Sequence, residues 1–460
     1  MTTSQQPRSV PTQRRVIVVG AGISGLTAGF RLRQSGFDVT VLERDDHVGG
    51  RMRTIDREGY RLDVAASILP TSYREMRALL RDLALTDEVR PTCDLFAFVQ
   101  GDAIHRLRLH ARRDLLATRL FGLRTKIAMA KIMTDMFRHR RVLDWTDPSR
   151  AAALDVENIP AYLRRRRIPT QTLSTFIDSF SMAGSLASSA EVSVINLYFY
   201  LHLLAGNGLF NSPEGIQFLP NHLADQLQVE LSARVTSVTI ENDGPVTVRW
   251  QRDGQPQRLE RVDGAVIAVP ARQATEIYPQ FDEDQRQFLL QLRYSRGITV
   301  AFGLRRVPAE PAVWLNISTE AHPDLVAVLL EHNKAPGRTP AGHALLSTYW
   351  QRDWHERHWN APDEAIRANA LSAVSQFLPG IGDDIDMCHI ERWNPYALAW
   401  PPGSFAALRR FLASLDTRSP VQFAGDYFSF LCTNSCLSSG ERAAQRLTAS
   451  LSTPTTRGRP

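Results

Sequence analysis

Short apolar runs and helical patterns alternate in the N-terminal part of the chain. Residues 16–19 are valine and isoleucine, which predicts a buried strand because β-branched side chains fit a pleated sheet. Apolar residues then recur at helical spacing through Leu26, Phe30 and Leu32, and residues 39–42 predict a second strand. This order of strand, helix and strand predicts a parallel sheet with a crossover helix.

The later pattern predicts further strands and helices. Residues 73–205 have a mostly helical pattern, and residues 363–377 predict an amphipathic helix. Residues 421–426 predict a strand, and a last helix is predicted around Ser439. The other predicted strands are an apolar core strand at 265–270, a meander at 229–231, 234–240 and 246–250, and a second sheet at 297–304, 327–331 and 344–349.

The turn after the first strand reads Gly20-Ala21-Gly22-Ile23-Ser24-Gly25, and the second strand ends on Glu43, followed by Arg44. Glycines at these three positions allow a tight turn, a close approach of a pyrophosphate and close packing of helix on strand. The helix N-terminus attracts the anion, and Glu43 can accept hydrogen bonds from ribose hydroxyls. The stretch therefore predicts a dinucleotide site.

Charge and composition exclude some partners. The chain has 460 residues and a net charge of +6, with arginine clusters at 138–141 and 164–167. Such clusters are typical of a solvated face, and they also suit an anionic substrate or membrane surface. No aromatic residues interleave with them as in nucleic-acid modules, so no nucleic-acid partner is expected.

The four cysteines form no CxxC pair, and the first fourteen residues lack the apolar core of a signal peptide. We expect reduced thiols in a cytoplasmic protein, with peripheral membrane contact and a homodimer left open. His355 and His358 have helical spacing without a third ligand, which favours a solvated or partner-facing helix and no metal site.

Two further motifs carry a family resemblance. Gly49-Gly50-Arg51 follows Glu43, and Gly425-Asp426 ends a strand ahead of a Ser-Gly-x-x-Ala-Ala helix. Together with the first glycine turn, these motifs resemble the flavin-containing amine oxidase superfamily. It includes monoamine oxidases, L-amino-acid oxidases, protoporphyrinogen oxidases and carotenoid-type desaturases.

The resemblance implies an α/β fold with two domains. A Rossmann-like, discontinuous FAD-binding domain would comprise residues 15–73, 213–290 and 389–451. A mixed α+β substrate domain would comprise residues 74–212 and 291–388. Residues 1–14 and 452–460 are expected to be disordered tails.

The resemblance also implies roles for single residues. Arg51 would neutralise the pyrophosphate, Arg53 would lie near the flavin edge, and the backbone of Val235 would meet the adenine. Asp426, next to Gly425, would bind the ribityl or pyrophosphate portion. The helix N-terminus near Cys436 would point at the flavin N1/O2 edge and stabilise negative charge there.

Departures from the family pattern refine this picture. Pro395 stands where monoamine oxidases carry the cysteine that binds flavin covalently, so non-covalent FAD is expected. Tyr396 matches one wall of the family's aromatic cage, and Thr299 stands where many members carry a lysine near flavin N5. Tyr396, Thr299 and Trp400 are predicted to face the flavin.

The predicted function is a two-electron oxidase that removes a hydride from a C–N or C–C bond of a small organic substrate. No second glycine fingerprint follows for a nicotinamide, so the substrate would reduce the flavin, and O2 or another acceptor would reoxidise it. With O2 the product would be hydrogen peroxide. Two alternatives remain: a membrane-associated isoprenoid or tetrapyrrole desaturase that passes electrons to a quinone or O2, and a non-catalytic FAD-binding scaffold.

Overall fold

The computed structural model describes residues 13–101, 103–108, 111–169, 171–204, 207–241 and 244–452. None of the helices within these ranges combines the length and apolar character needed to cross a membrane. The α-helices are α1 (Ile23–Gln34), α2 (Arg74–Asp82), α3 (Arg112–Ala117), α4 (Leu123–His139), α5 (Ile159–Arg165), α6 (Gln171–Ser185), α7 (Val194–Leu204), α8 (Phe218–Ala224), α9 (Ala271–Ile277), α10 (Glu283–Gln291), α11 (Arg352–His358), α12 (Asp363–Ser375), α13 (Ser404–Ser414) and α14 (Thr433–Ser452).

Strands are distributed over the whole length of the chain. They are β1 (Arg15–Val19), β2 (Asp38–Leu42), β3 (Thr54–Arg57), β4 (Tyr60–Asp63), β5 (Leu69–Pro70), β6 (Arg90–Pro91), β7 (Leu95–Gln100), β8 (Ala103–Arg108), β9 (Leu209–Asn211), β10 (Gln228–Glu230), β11 (Arg234–Ile240), β12 (Val246–Gln251), β13 (Arg258–Val262), β14 (Gly264–Ile267), β15 (Arg293–Tyr294), β16 (Gly297–Leu304), β17 (Trp314–Ile317), β18 (Leu325–Leu330), β19 (Ala344–Trp350), β20 (Ile385–Trp393), β21 (Leu398–Ala399) and β22 (Val421–Phe423).

A five-stranded parallel sheet, in the order β10-β2-β1-β14-β22, carries the N-terminal motif. Val16, Ile17 and Val18 are at most 1% exposed, because this sheet is covered on both faces. The predicted strands at 16–19 and 39–42 are confirmed as β1 and β2, and the strand predicted at 265–270 is β14, which ends at Ile267. The assignment of 229–231 to a meander was wrong, because β10 pairs with β2. The meander is β11-β12-β13 instead.

A seven-stranded sheet, in the order β20-β16-β19-β18-β17-β7-β8, forms the second layer. It contains all three strands predicted for a second sheet, as β16, β18 and β19. The mostly helical prediction for 73–205 missed the hairpin of β7 and β8. Phe96, Ala97, Phe98 and Val99 are all buried, so their pattern lacks the alternation that distinguishes a strand from a buried helix.

The C-terminal helix packs directly on the first helix. α14 begins at Thr433, earlier than the predicted start around Ser439, and it contacts α1 along its length. A Cβ atom added to Gly440 would lie 2.1 Å from the carbonyl oxygen of Ser24, so only glycine permits this approach. The two ends of the chain therefore meet at the N-terminus of α1, beside the glycine turn.

Four charged side chains form a buried cluster where β4 meets the segment after β18. Asp63 accepts hydrogen bonds from Lys334 at 2.6 Å and from both terminal nitrogens of Arg338 at 3.0 Å, and Glu331 also contacts Lys334. All four side chains are at most 2% exposed. Burial raises the pKa of Asp63, but the charges of Arg338 and Lys334 outweigh burial and hold it below its usual range. The carboxylate is therefore ionised in the folded protein.

Replacing Asp63 by asparagine is expected to lower the free energy of unfolding by roughly 3 kcal/mol or more, because two buried cations lose their main partner. The folded pKa of Asp63 is depressed, so its contribution is fully present above the unfolded pKa and is lost as the pH falls through the folded value. Urea titrations should show a constant difference from wild type near neutral pH and a shrinking one below about pH 4.

Asp56→Asn is the matched control, because the Asp56 carboxylate is 72% exposed beside Arg61. It should change the free energy of unfolding by less than about 1 kcal/mol. Equal effects of the two substitutions would show that the buried cluster does not contribute as argued.

Candidate functional site

A cavity of about 700 Å³ lies between the carboxyl ends of the parallel strands and the seven-stranded sheet. Ligands in α/β proteins bind at this edge of a parallel sheet, because the loops that follow the strands converge there. Most of the residues predicted for cofactor binding line it. They are Gly20, Gly22, Ile23, Ser24, Glu43, Arg44, Gly49, Gly50, Arg51, Val235, Gly425, Asp426 and Cys436.

The first glycine turn has the geometry that the sequence predicted. Gly20 has φ of +101°, and a Cβ atom there would lie 2.6 Å from the carbonyl oxygen of Ala268. A Cβ atom on Gly25 would lie 1.9 Å from the oxygen of Gly20, so Gly25 is needed for packing beneath the turn and does not line the cavity. Gly22 differs, since an added Cβ would meet no protein atom within 4 Å and would project into open space at the cavity wall.

Glu43 links this turn to the cavity. Its carboxylate accepts hydrogen bonds from the backbone N–H of Ala21 at 2.6 Å and of Asp45 at 3.0 Å. Burial raises the pKa of Glu43, against the lowering effect of these two bonds. Arg44 beside it also lines the cavity and pairs with Asp45 at 3.5 Å.

The second glycine loop packs against the first. The N–H of Gly49 donates to the oxygen of Ala21 at 2.9 Å, and Gly22 and Gly49 form a parallel β-bridge. Gly49 and Gly50 have φ of +105° and +53°, in the region that favours glycine. Two glycine-containing loops thus border the same part of the cavity.

Arg51 follows this loop and pairs with Asp426 from the end of β22. Its guanidinium lies 2.8 Å from Asp426 Oδ2 and donates to the carbonyl oxygen of Tyr396 at 3.0 Å. Tyr294 donates its hydroxyl to Asp426 Oδ1 at 2.6 Å. Burial lowers the pKa of Arg51, but the charge of Asp426 outweighs this and leaves it above its usual value. The pair fixes a cation at the cavity wall, with 28% of the Arg51 side chain exposed.

Arg53 and Cys436 were also predicted to bind the cofactor, and the structure places them differently from each other. Arg53 does not line the cavity and pairs with Glu391 at 3.6 Å. Cys436 lines the cavity in the first turn of α14, and its carbonyl oxygen accepts hydrogen bonds from Ser24 and Ser439. Burial raises the pKa of the Cys436 thiol, so it stays protonated.

Of the three residues predicted to face the flavin, only Tyr396 lines the cavity. Trp400 is 1% exposed and stacks on Phe405 with ring centroids 5.0 Å apart, as part of the core. Thr299 donates its hydroxyl to the carbonyl oxygen of Val64 at 2.7 Å, which holds it behind the segment that lines the cavity. The direct roles predicted for Trp400 and Thr299 are therefore corrected.

The part of the cavity beside the seven-stranded sheet is aromatic, and the sequence did not single it out. We call it the aromatic end; it is formed by Phe96, Tyr200, Trp314, Tyr349, Trp393 and Tyr396. Trp314 and Tyr349 contact each other at 4.8 Å, and the hydroxyl groups of Tyr349 and Ser67 lie 2.7 Å apart. The strands that carry Phe96, Trp314 and Tyr349 have the apolar pattern of core strands, so the sequence around these residues did not indicate that they line a cavity.

The structure buries one of the two helical histidines. His355 is 3% exposed and accepts a hydrogen bond from the N–H of Ile298 at 3.0 Å. Burial lowers the pKa of His355 to about 3. The prediction of a solvated or partner-facing helix was therefore wrong for His355, whereas Asp353, Glu356 and Arg357 of the same helix are exposed. Within the described ranges, no group of three or more His, Cys, Asp or Glu side chains could hold a metal ion.

Some known proteins match nearly the whole chain, and others match only a short part of it. It is 23% identical to a coproporphyrinogen III oxidase of Mycobacterium leprae over 95% of its own length and 99% of that protein. Shorter matches include 39% identity to a 4,4'-diaponeurosporene oxygenase of Staphylococcus haemolyticus, over 14% of this chain and 12% of that protein. A protoporphyrinogen oxidase 2 of Arabidopsis thaliana is 41% identical over 16% of this chain and 15% of that protein.

Solved structures with the same mixed α/β fold include two amine oxidases. A putrescine oxidase bound to putrescine has a TM-score of 0.74 at 19% identity, covering 95% of this chain and 99% of that one. Cyclohexylamine oxidase of Brevibacterium oxydans has a TM-score of 0.72 at 20% identity, covering 95% and 98%. The family model described as flavin containing amine oxidoreductase matches residues 23–448. The chain therefore belongs to the flavin-containing amine oxidoreductase family and is a flavin-dependent oxidoreductase.

Proposed function

We propose that the cavity binds FAD non-covalently and that the protein oxidises a C–N or C–C bond of an uncharged, largely apolar organic substrate by two electrons. O2 would be the acceptor and hydrogen peroxide the product. The observation that carries this proposal is that one cavity includes both the glycine loops and the aromatic end. A cofactor and a substrate can therefore meet within it.

The residues near the glycine loops fit the nucleotide part of FAD. The backbone at Gly22 and Gly50 can approach a pyrophosphate closely, the N-terminus of α1 attracts its charge, and Arg51 supplies a cation. Glu43 supplies the carboxylate for a ribose. Val235 also lines the cavity and lies two residues after Ala233, whose N–H donates to the backbone carbonyl oxygen of Glu43 at 2.6 Å.

Non-covalent binding is supported by the side chains that line the cavity. Pro395 lies in the lining where a covalently binding relative would carry cysteine. The cysteines in the lining are Cys432 and Cys436, and burial raises the pKa of both thiols. A protonated thiol is a poor nucleophile, so neither is suited to forming a bond to the flavin.

The aromatic end favours a neutral substrate. The six residues of the aromatic end carry no formal charge, and Arg51, which reaches the backbone of Tyr396, is already paired with Asp426. A charged group moved from water to this site would lose hydration without gaining an ionic partner. An amine bound as its free base or a hydrocarbon-like chain suits the site better than a diammonium ion or a polycarboxylate.

Bound flavin supplies the hydride acceptor for such a reaction. The protein would position the substrate against it and exclude water. Tyr396 is suited to this role, because its backbone is anchored by Arg51 and its ring borders the cavity. Burial raises the pKa of Tyr396 to about 12, so its hydroxyl stays neutral at ordinary pH.

Oxidation of a C–C bond is the second candidate within this proposal. The full-length similarity to a coproporphyrinogen III oxidase and the threonine at position 299 both favour it. The aromatic end includes no Lys or Arg, and Arg51 beside Tyr396 is already paired with Asp426, which argues against a substrate with several carboxylates. A hydrocarbon-like substrate fits this second candidate best.

Gly22→Ala should weaken FAD binding at least tenfold, roughly 1.4 kcal/mol, because the added methyl group would occupy the place of the pyrophosphate. Gly22 has φ of −72°, so alanine is compatible with its backbone and the fold should persist. Titration of apoprotein with FAD, followed by flavin fluorescence, measures the change. Gly382→Ala is the control, since its added Cβ also meets no atom within 4 Å but lies outside the cavity. Equal affinities for both variants would contradict a cofactor at Gly22.

Anaerobic mixing of the FAD-loaded protein with neutral apolar amines and polyenes should bleach the flavin absorbance, whereas diammonium and polycarboxylate compounds should not. Tyr396→Phe should retain most of the bleaching rate, and Tyr396→Ala should lose about tenfold or more, because the ring positions the substrate. FAD content measured by absorbance controls for cofactor loss. A scaffold without turnover would show no bleaching with any compound.

A further inference from the structure

The outer surface of α3 and α4 exposes more large apolar side chains than any other region that the structure describes. Five of the ten exposed large hydrophobic residues in the described ranges lie between positions 116 and 137. We call these five the α3–α4 ridge: Leu116, Leu123, Ile127, Met133 and Phe137. Leu116, Leu123 and Phe137 are 72%, 74% and 63% exposed, which is unusual for side chains of this size facing water.

The pattern of α4 shows that these side chains belong to its outer face. Leu123, Ile127 and Phe137 follow one another at helical spacing, while Thr125, Ala128, Ile132 and Asp135 are buried on the opposite face. Lys126 donates to the carbonyl oxygen of Leu116 at 2.5 Å, which ties α3 to α4. The ridge therefore spans two helices that are held together.

The charge around the ridge is positive. Residues 111–141 contain nine basic and two acidic residues, and this surplus of seven exceeds the +6 of the whole chain. Of the two acids, Asp135 is buried and bound to Tyr162 and Arg166, and Asp114 accepts a hydrogen bond from the backbone of Arg108. The rest of the chain is close to neutral.

Two members of the second arginine cluster found in the sequence are held in ion pairs. Arg165 pairs with Glu157, and Arg166 pairs with Asp135, so these two guanidinium groups hold α5 in place. In contrast, Arg124, Lys131, Arg138 and Arg141 are exposed beside the ridge. Arg140 lies over the ring of Phe137, with its Cζ atom 4.1 Å from the centroid.

We propose that the α3–α4 ridge docks on an anionic lipid surface. A helix with an exposed apolar face flanked by Lys and Arg lies in the headgroup region, where its apolar side chains enter the acyl boundary and its cations meet lipid phosphates. The positive surplus selects an anionic lipid surface over a neutral one. The inner face of α4 packs in the same hydrophobic cluster as Phe96 and Trp314, so docking would place the aromatic end of the cavity near the lipid.

Flotation of the purified full-length protein with vesicles tests the proposal. At low salt, the protein should float with vesicles of phosphatidylcholine and phosphatidylserine. The fraction of protein that floats with pure phosphatidylcholine vesicles should be at least tenfold lower. Raising the salt to about 0.5 M should reduce binding, because ionic contacts are screened. No binding to anionic vesicles at low salt would overturn the proposal.

A triple substitution, Leu123→Ser with Ile127→Ser and Phe137→Ser, should weaken vesicle binding about tenfold or more, because these apolar side chains would no longer enter the lipid. The residues are exposed, so an unchanged thermal unfolding midpoint and FAD content should show that the fold persists. Leu259→Ser with Val307→Ser is the control, since these side chains are 47% and 51% exposed outside the ridge. Equal binding by both variants would overturn the proposal.

Sedimentation velocity distinguishes the competing occupant. If wild type forms a concentration-dependent dimer that the triple substitution abolishes, and neither binds vesicles, the ridge is an interface between copies of this chain and the lipid proposal is wrong. None of these measurements depends on substrate turnover, so they stand apart from the test of the proposed oxidation.

Discussion

The ion pair between Arg51 and Asp426 is the interaction on which the site depends. It joins the loop after the second glycine motif to the end of β22, and the same guanidinium holds the backbone of Tyr396. A buried carboxylate is stabilised by a cation and by hydrogen bonds, and Arg51 and Tyr294 provide them for Asp426. The pair thus connects the N-terminal and C-terminal parts of the chain to the aromatic end, so that the glycine loops and the aromatic end are positioned by one contact.

Electrostatic character changes along the cavity. Charged side chains such as Glu43, Arg44, Arg51 and Asp426 border the glycine loops, whereas the described residues of the aromatic end carry no formal charge. This separation suits a cofactor with a charged diphosphate and a neutral reacting partner, because each part of the cavity matches the solvation of the group it would hold. The basic, apolar ridge outside the same hydrophobic cluster is compatible with a partner that prefers lipid to water.

Local patterns predicted the strands and motifs around the glycine loops well, because each requirement there acts over a few residues. The steric need for glycine at positions 20 and 25 is one such requirement, because an added Cβ atom would lie 2.6 and 1.9 Å from backbone oxygen atoms. Long-range pairing was harder to predict: β10 joined the parallel sheet, and the buried β7 strand looked helical. His355 was misplaced for the same reason, since the contact with Ile298 that buries it comes from a distant strand.

The amino-acid sequence by itself determined the glycine loops, the acidic strand end and the family. These features depend on backbone sterics and on spacings of a few residues, so they can be recognised from residues that are neighbours in the chain. Only the tertiary structure decided which side chains face the cavity. Thr299 and Trp400 lie on segments next to it, yet hydrogen bonding to Val64 and stacking on Phe405 turn them away. Phe96, Trp314 and Tyr349 enter the wall because three separate strands align in one sheet, and such alignment depends on contacts between residues far apart in the chain.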